Sequence, residues 1–168
     1  MIGVLCIPKS QSSWVMSKIK DAGLNLGEIR PYKPSASYPK DKYPAGWLEH
    51  KILQEWGRRR SLGTERRILN RIMEPQDAYP NPNQADFGNT EAVKIFPWFY
   101  QYFKERGLIT YWIRVIRPVS GLKKHYAIPV AEAANEWLRD LPCHGEINTD
   151  NLEFWDPAYL KIYVGGQT

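Results

Sequence analysis

The stretch FKERGLITYWIRVIRPVSGLKKHYAIP, residues 103–129, constrains the fold of this chain more than any other. A helix is expected to stop at Gly107, because glycine takes the left-handed conformation that closes a helix at little steric cost. Beyond it Tyr111, Ile113 and Val115 alternate with residues of the opposite face, which is the period of a strand. Tyr126 and Ile128 repeat that alternation, and the intervening RPVSGLKK holds Pro118, Ser120 and Gly121, residues that turn a chain. The expectation is a β-hairpin whose basic, exposed tip carries Arg117, Lys123 and Lys124.

Helical patterns flank this hairpin. In TEAVKIFPWFYQYFKERG the residues Ile95, Phe99 and Phe103 recur every four positions. Pro97 fits the first turn of a helix running from about residue 97 to 106, with TEAVKIF as a separate short helix; the other option is one longer helix kinked at Pro97. After the hairpin, Val130, Ala133, Ala134, Trp137, Leu138 and Leu141 share a face of a helix ended by Pro142. Upstream, Leu48, Ile52 and Trp56, widened by Leu53, mark a helix that stops at Gly57. Thr64 then caps a second one that buries Ile68, Leu69, Ile72 and Met73 and ends before Pro75. A proline-rich connection, residues 74–89, separates these two from the aromatic helix.

The N-terminal portion reads as strand, helix, strand. IGVLCIP is an apolar run closed by Pro8, SSWVMSKIKDAG is a helix capped by Ser12 or Ser13 and stopped by Gly23, and LGEIRPY returns as a strand. Residues 31–46, with four prolines and three tyrosines, form a linker. The C-terminal tail is mostly irregular and closes with a strand, Tyr159 to Val164, available to pair with the N-terminal one. Three segments result: an extension and linker over 1–46, a helical core with its hairpin over 47–141, and an acidic tail over 142–168.

Charge is segregated along the 168 residues. Within the net charge of +5 the segment from Lys51 to Met73 carries +5, that from Lys104 to Lys124 +5 and that from Glu132 to Asp156 −6, the rest of the chain adding +1. Clustered cations point to a polyanionic partner, since phosphates release counterions when they are neutralised. Two cysteines, no basic leader before the apolar N-terminal run, and no apolar stretch of roughly 20 residues lead to the expectation of a cytoplasmic protein with reduced thiols and no membrane span.

A helix ending in ERGLI, a strand, a G-x-K-K loop, a YAI strand and an alanine-rich amphipathic helix together resemble the winged-helix DNA-binding domain over about residues 47–141. The resemblance implies an α+β fold: a winged-helix-like helical core with a β-hairpin wing, alongside the small N-terminal strand-helix-strand extension. It also implies that the helix before the hairpin enters the major groove while the wing touches the backbone. On this chain the recognition helix would present Trp98, Gln101 and Lys104. The wing would present Arg117, Lys123 and Lys124, and Arg58, Arg59, Arg60, Arg66, Arg67 and Arg71 would add phosphate contacts. That helix is aromatic rather than basic, so backbone contacts should outweigh base readout.

The expected function is therefore non-enzymatic binding of double-stranded nucleic acid or a nucleoprotein complex, with no cofactor and no metal. The alternative is a protein-binding adaptor or inhibitor of a nucleic-acid-handling complex, such as a phage-type, anti-CRISPR-like inhibitor of host defence. Other chemistry finds little support in the residues. Cys143 and His144 are adjacent, which is neither a zinc spacing nor a productive nucleophile-base geometry. Glu146, Asp150, Glu153 and Asp156 read as a solvated acidic face rather than a two-metal site. The tyrosines of residues 31–46 would stack on single-stranded bases only if that linker left the core.

Overall fold

Ile2–Cys6 forms strand β1, and every one of its five residues is buried. A strand covered on both faces reads as a continuous apolar run, and it sits where such a run belongs, in the interior of a parallel sheet. The structure is a computed structural model that describes residues 1–29, 48–53 and 84–164. In it β1 pairs in parallel with β2 (Ala92–Ile95) on one side and with β3 (Tyr111–Ile116) on the other. Strand β3 pairs in parallel with β4 (Gly145–Asn148), so the order across the sheet is β2-β1-β3-β4.

Parallel neighbours require crossovers, and these supply the layers that cover the sheet. Helix α1 (Ser12–Asp21) lies on one face, where Val15, Met16 and Ile19 pack with Ile2, Val4, Cys6, Ile113 and Val115. Leu160 joins them from the 3-10 turns of Pro157–Tyr163. A one-turn helix α2 (Gln84–Phe87) precedes β2. The other face carries α3 (Tyr100–Glu105) and α5 (Ile128–Asp140), with the short α4 (Val119–Leu122) between β3 and α5. Their residues Phe103, Leu122, Ala131, Ala134 and Leu138 pack with Leu5, Ile95, Trp112 and Ile116.

The chain leaves β1 toward β2 and leaves β3 toward β4, in opposite directions along the sheet. The carboxyl ends of β1 and β3 therefore flank a topological switch point. In open parallel sheets the connecting loops diverge at such a point and leave room for a crevice.

Several expectations hold. The molecule mixes helices and strands; the N-terminal strand and the helix after it form, and Gly23 ends that helix at φ 90. The aromatic segment starts as a 3-10 turn at Pro97–Phe99 and continues as α3. Others are corrected. TEAVKIF is not a helix, because Ala92–Ile95 is fully buried and pairs with β1. No hairpin wing forms over residues 111–128: β1 and β4 occupy both edges of β3, leaving no place for an antiparallel partner. RPVSGLKK instead winds into α4, and Ile128 opens α5 with Pro129 in its first turn, where a missing N–H is harmless.

The tail is likewise different. Tyr159 to Val164 is not a strand, since both edges of β1 are taken and Leu160 is buried against α1 from a 3-10 turn. Residues 145–148, expected to be irregular, supply β4. LGEIRPY contributes one antiparallel bridge, Ile29 to His50, rather than a strand among the described residues. Near residue 50 the helical backbone begins at Lys51, preceded by Leu48 at φ 47. The helix expected over 64–73 lies outside the described residues. Among the described residues no helix is long and apolar enough to cross a membrane.

Candidate functional site

Strand β1 ends at Cys6 and α1 begins at Ser12, so Ile7 to Gln11 must turn the chain at the switch point within five residues. Two of them, Lys9 at φ 67 and Gln11 at φ 62, adopt the left-handed conformation without being glycine. Each costs on the order of 1–2 kcal/mol, so the winding persists only because surrounding groups hold it. Tyr126 Oη donates to the Pro8 carbonyl at 2.8 Å, and Arg117 Nη1 donates to the Lys9 carbonyl at 2.6 Å. Asn135 Nδ2 in turn donates to the Arg117 carbonyl at 2.9 Å, which ties α5 to the same anchor. Gly121 makes room for this arrangement: a methyl group there would stand 2.6 Å from Arg117 Nε.

With its carbonyls drawn toward Tyr126 and Arg117, the loop resembles a backbone nest, in which alternating handedness turns amides toward one side. The amino end of α1 follows directly. Gln11 offers it no side-chain cap, and no acidic residue stands in its first turn. The partial positive charge of a ten-residue helix is thus directed at the crevice without an internal anion on its own first turn. Ser10, fully buried in the loop, makes no hydrogen bond of ordinary geometry through its hydroxyl oxygen, which lies near the Cys6 thiol. A buried polar atom so weakly satisfied is costly, and an acceptor or donor brought there by a ligand would offset that cost.

Cations border the loop on both flanks. From the β3 side come Arg117 and Lys124, which join Lys9 around the neutral His125. The His125 imidazole is held below its ordinary range by burial, and then by the positive charges of Lys9, Arg117 and Lys124. From the β2 side comes Lys94, in register with Val4 and therefore on the α1 face. Its Nζ lies 3.4 Å from Ser13 Oγ in the first turn of α1 and 3.2 Å from Glu49 Oε1. Beneath the loop the Cys6 thiol is pushed up to about 11, chiefly by burial, against the lowering effect of Lys94. It is a packed thiol and no nucleophile.

Of the residues expected from sequence to contact a ligand, the structure gathers Arg117 and Lys124 here, with Lys123 exposed beside them. Trp98 is half-buried and stacks on Phe96, Gln101 donates to Glu105 at 2.8 Å, and Lys104 lies over the Tyr100 ring. These three serve the aromatic segment itself. Arg58, Arg59, Arg60, Arg66, Arg67 and Arg71 lie outside the described residues. His144 is structural: its Nδ1 accepts the Trp112 amide at 2.9 Å and its ring stacks on Tyr111. Cys143 is raised to about 11 by burial.

Sequence reasoning missed Lys9, Ser10, Glu49 and Lys94. A usable signal was present for the first two, because PKSQSS packs a lysine and three serines between a buried strand and an amphipathic helix. No protein-family model, curated protein or solved structure matches the chain.

Proposed function

We propose that this chain binds a small phosphate ester of the nucleotide class in the crevice between the carboxyl ends of β1 and β3. Open parallel sheets take their ligands at this position, and an uncapped helix terminus is suited to an anion. The observations that carry the reading are the strained loop held by Arg117, its buried and weakly satisfied Ser10 hydroxyl, Lys94 at the first turn of α1, and Lys9 and Lys124 beside His125. Cations arriving from both flanks fit a ligand with more than one negative charge, so a diphosphate ester suits the crevice better than a single phosphate.

Titration of the protein with inorganic pyrophosphate and with nucleoside diphosphates tests this reading. Saturable binding is expected, weakened by roughly tenfold or more in Lys9→Glu, where a charge beside the loop is reversed. Absence of binding to all of these anions at low salt would remove the reading.

A second reading keeps the anionic chemistry and makes the ligand double-stranded nucleic acid. It is favoured by the exposed Lys123 and Lys124 next to Arg117 and by the basic stretch from Lys51 to Met73. Retention of duplex that falls steeply with salt, and that excess pyrophosphate does not displace, would select it over the small-ligand reading.

A further inference from the structure

Lys94 Nζ touches groups that belong to different parts of the molecule. Ser13 Oγ places it at the first turn of α1, and the Glu49 carboxylate, at 3.2 Å, ties it to the segment Leu48 to Leu53. The Lys94 side chain is 3% exposed and that of Glu49 21%, so the attraction is little screened. The segment wraps the outer edge of β2 as a strap: Leu48 packs in the core on the α1 side and Leu53 in the core on the α3 side. Between them His50 is buried against Phe87 and Thr90.

This strap is docked under tension. Leu48 holds φ 47, a conformation that a branched side chain rarely adopts, and His50 Nδ1 is buried with no hydrogen-bond partner. A segment with such burdens opens at less cost than its surroundings once a favourable contact is withdrawn.

We propose that Glu49 and the phosphate ligand compete for Lys94, so that occupation of the anion site loosens the strap from the edge of β2. The inference rests on the anion-binding reading above. A phosphate group at the first turn of α1 lies within a few ångströms of both partners; it attracts the ammonium and repels the carboxylate. It also offers Lys94 more acceptor oxygens than Glu49 does. The coupling is reciprocal: phosphate binds the undocked state more tightly than the docked one by the factor through which it weakens docking, so removing the Glu49 charge strengthens phosphate binding.

The experiment measures pyrophosphate affinity by calorimetry in the native protein, in Glu49→Gln and in Glu49→Gln combined with Lys94→Met. Hydrogen exchange of the amides at 49–53 is followed with and without pyrophosphate. Glu49→Gln is expected to bind roughly 5–20-fold more tightly, a gain that the added Lys94→Met abolishes, and the strap amides of the native protein exchange faster at saturation. Binding by the native protein that Glu49→Gln fails to strengthen, or strap amides that slow on binding, overturns the competition while leaving the anion site standing. No binding by the native protein or by Glu49→Gln overturns both. The exchange measurement on the native protein needs no variant, so the inference remains exposed to refutation even where Glu49→Gln folds poorly.

Discussion

Arg117 reaches back across the switch point to place its guanidinium 2.6 Å from the carbonyl oxygen of Lys9, a residue 108 positions earlier in the chain. One side chain thereby joins the loop after β3 to the loop after β1. A lysine at this position keeps the charge but loses the rigid fork and most of the reach to that carbonyl. Arg117→Lys is expected to destabilise the protein by about 1.5–3 kcal/mol, the range of a hydrogen bond to a charged donor. Pyrophosphate affinity should fall by roughly tenfold, as expected when the loop loses its preorganised shape. Urea unfolding and calorimetry check the two parts separately.

Gly121 provides a way to disturb the same anchor without touching any charge. A methyl group added there would stand 2.6 Å from Arg117 Nε and 3.3 Å from its Cγ. The guanidinium must swing away, and the Lys9 carbonyl loses its donor. Gly121→Ala is expected to weaken pyrophosphate binding by several-fold while α4, which the alanine itself favours, persists. Unchanged affinity together with a retained fold would show that the Arg117 anchor does not shape the crevice.

His50 makes the fold sensitive to acid. Burial holds its imidazole below the ordinary value of 6.5, and Glu28 opposes this to a smaller degree. A histidine whose folded value is depressed binds its proton more readily in the unfolded chain. Stability is thus complete above 6.5 and is lost as the pH falls from 6.5 toward the lower folded value. Urea midpoints from pH 8 to pH 5 are expected to decline in this window. The decline should be smaller in His50→Gln, which has no proton to gain.

Much of this architecture was legible because local periodicity and burial agree. Ile2–Cys6 is uniformly apolar, and Ser12–Asp21 carries Val15, Met16 and Ile19 on one stripe, so strand and helix were both readable. Ala92–Ile95 was not, because Ile95, Phe99 and Phe103 keep a four-residue spacing straight through the strand, the 3-10 turn and α3. A buried lysine at position 94 further disguises a central-looking segment as an amphipathic one. Tyr126 and Ile128 alternate over too few residues to distinguish a strand from the approach to α5, and only the occupied edges of β3 decide the matter. The candidate site was the least legible part. Its loop uses the same serines that cap an ordinary helix, and its anion-binding character comes from residues such as Lys94, 81 positions away from Ser13.

His125 turns the same electrostatics into a dependence of binding on pH. Its imidazole is depressed by burial and by the positive charges of Lys9, Arg117 and Lys124, and therefore stands below the ordinary value of 6.5 in the ligand-free protein. A phosphate ester among those cations offsets their repulsion and favours the imidazolium, so binding raises the histidine's proton affinity. Proton uptake on binding means that affinity increases as pH falls through the raised value of the bound histidine and levels off below the ligand-free value. Calorimetry with pyrophosphate at pH 7.5 and pH 5.5, in buffers of different ionisation enthalpy, should show tighter binding and net proton uptake at the lower pH. The ligand titrates near neutrality as well, so the comparison is made against His125→Gln, in which the part of the increase owed to the imidazole must disappear. An identical pH profile in the two proteins would place the phosphate out of reach of this histidine, and with it away from the Arg117 flank of the crevice.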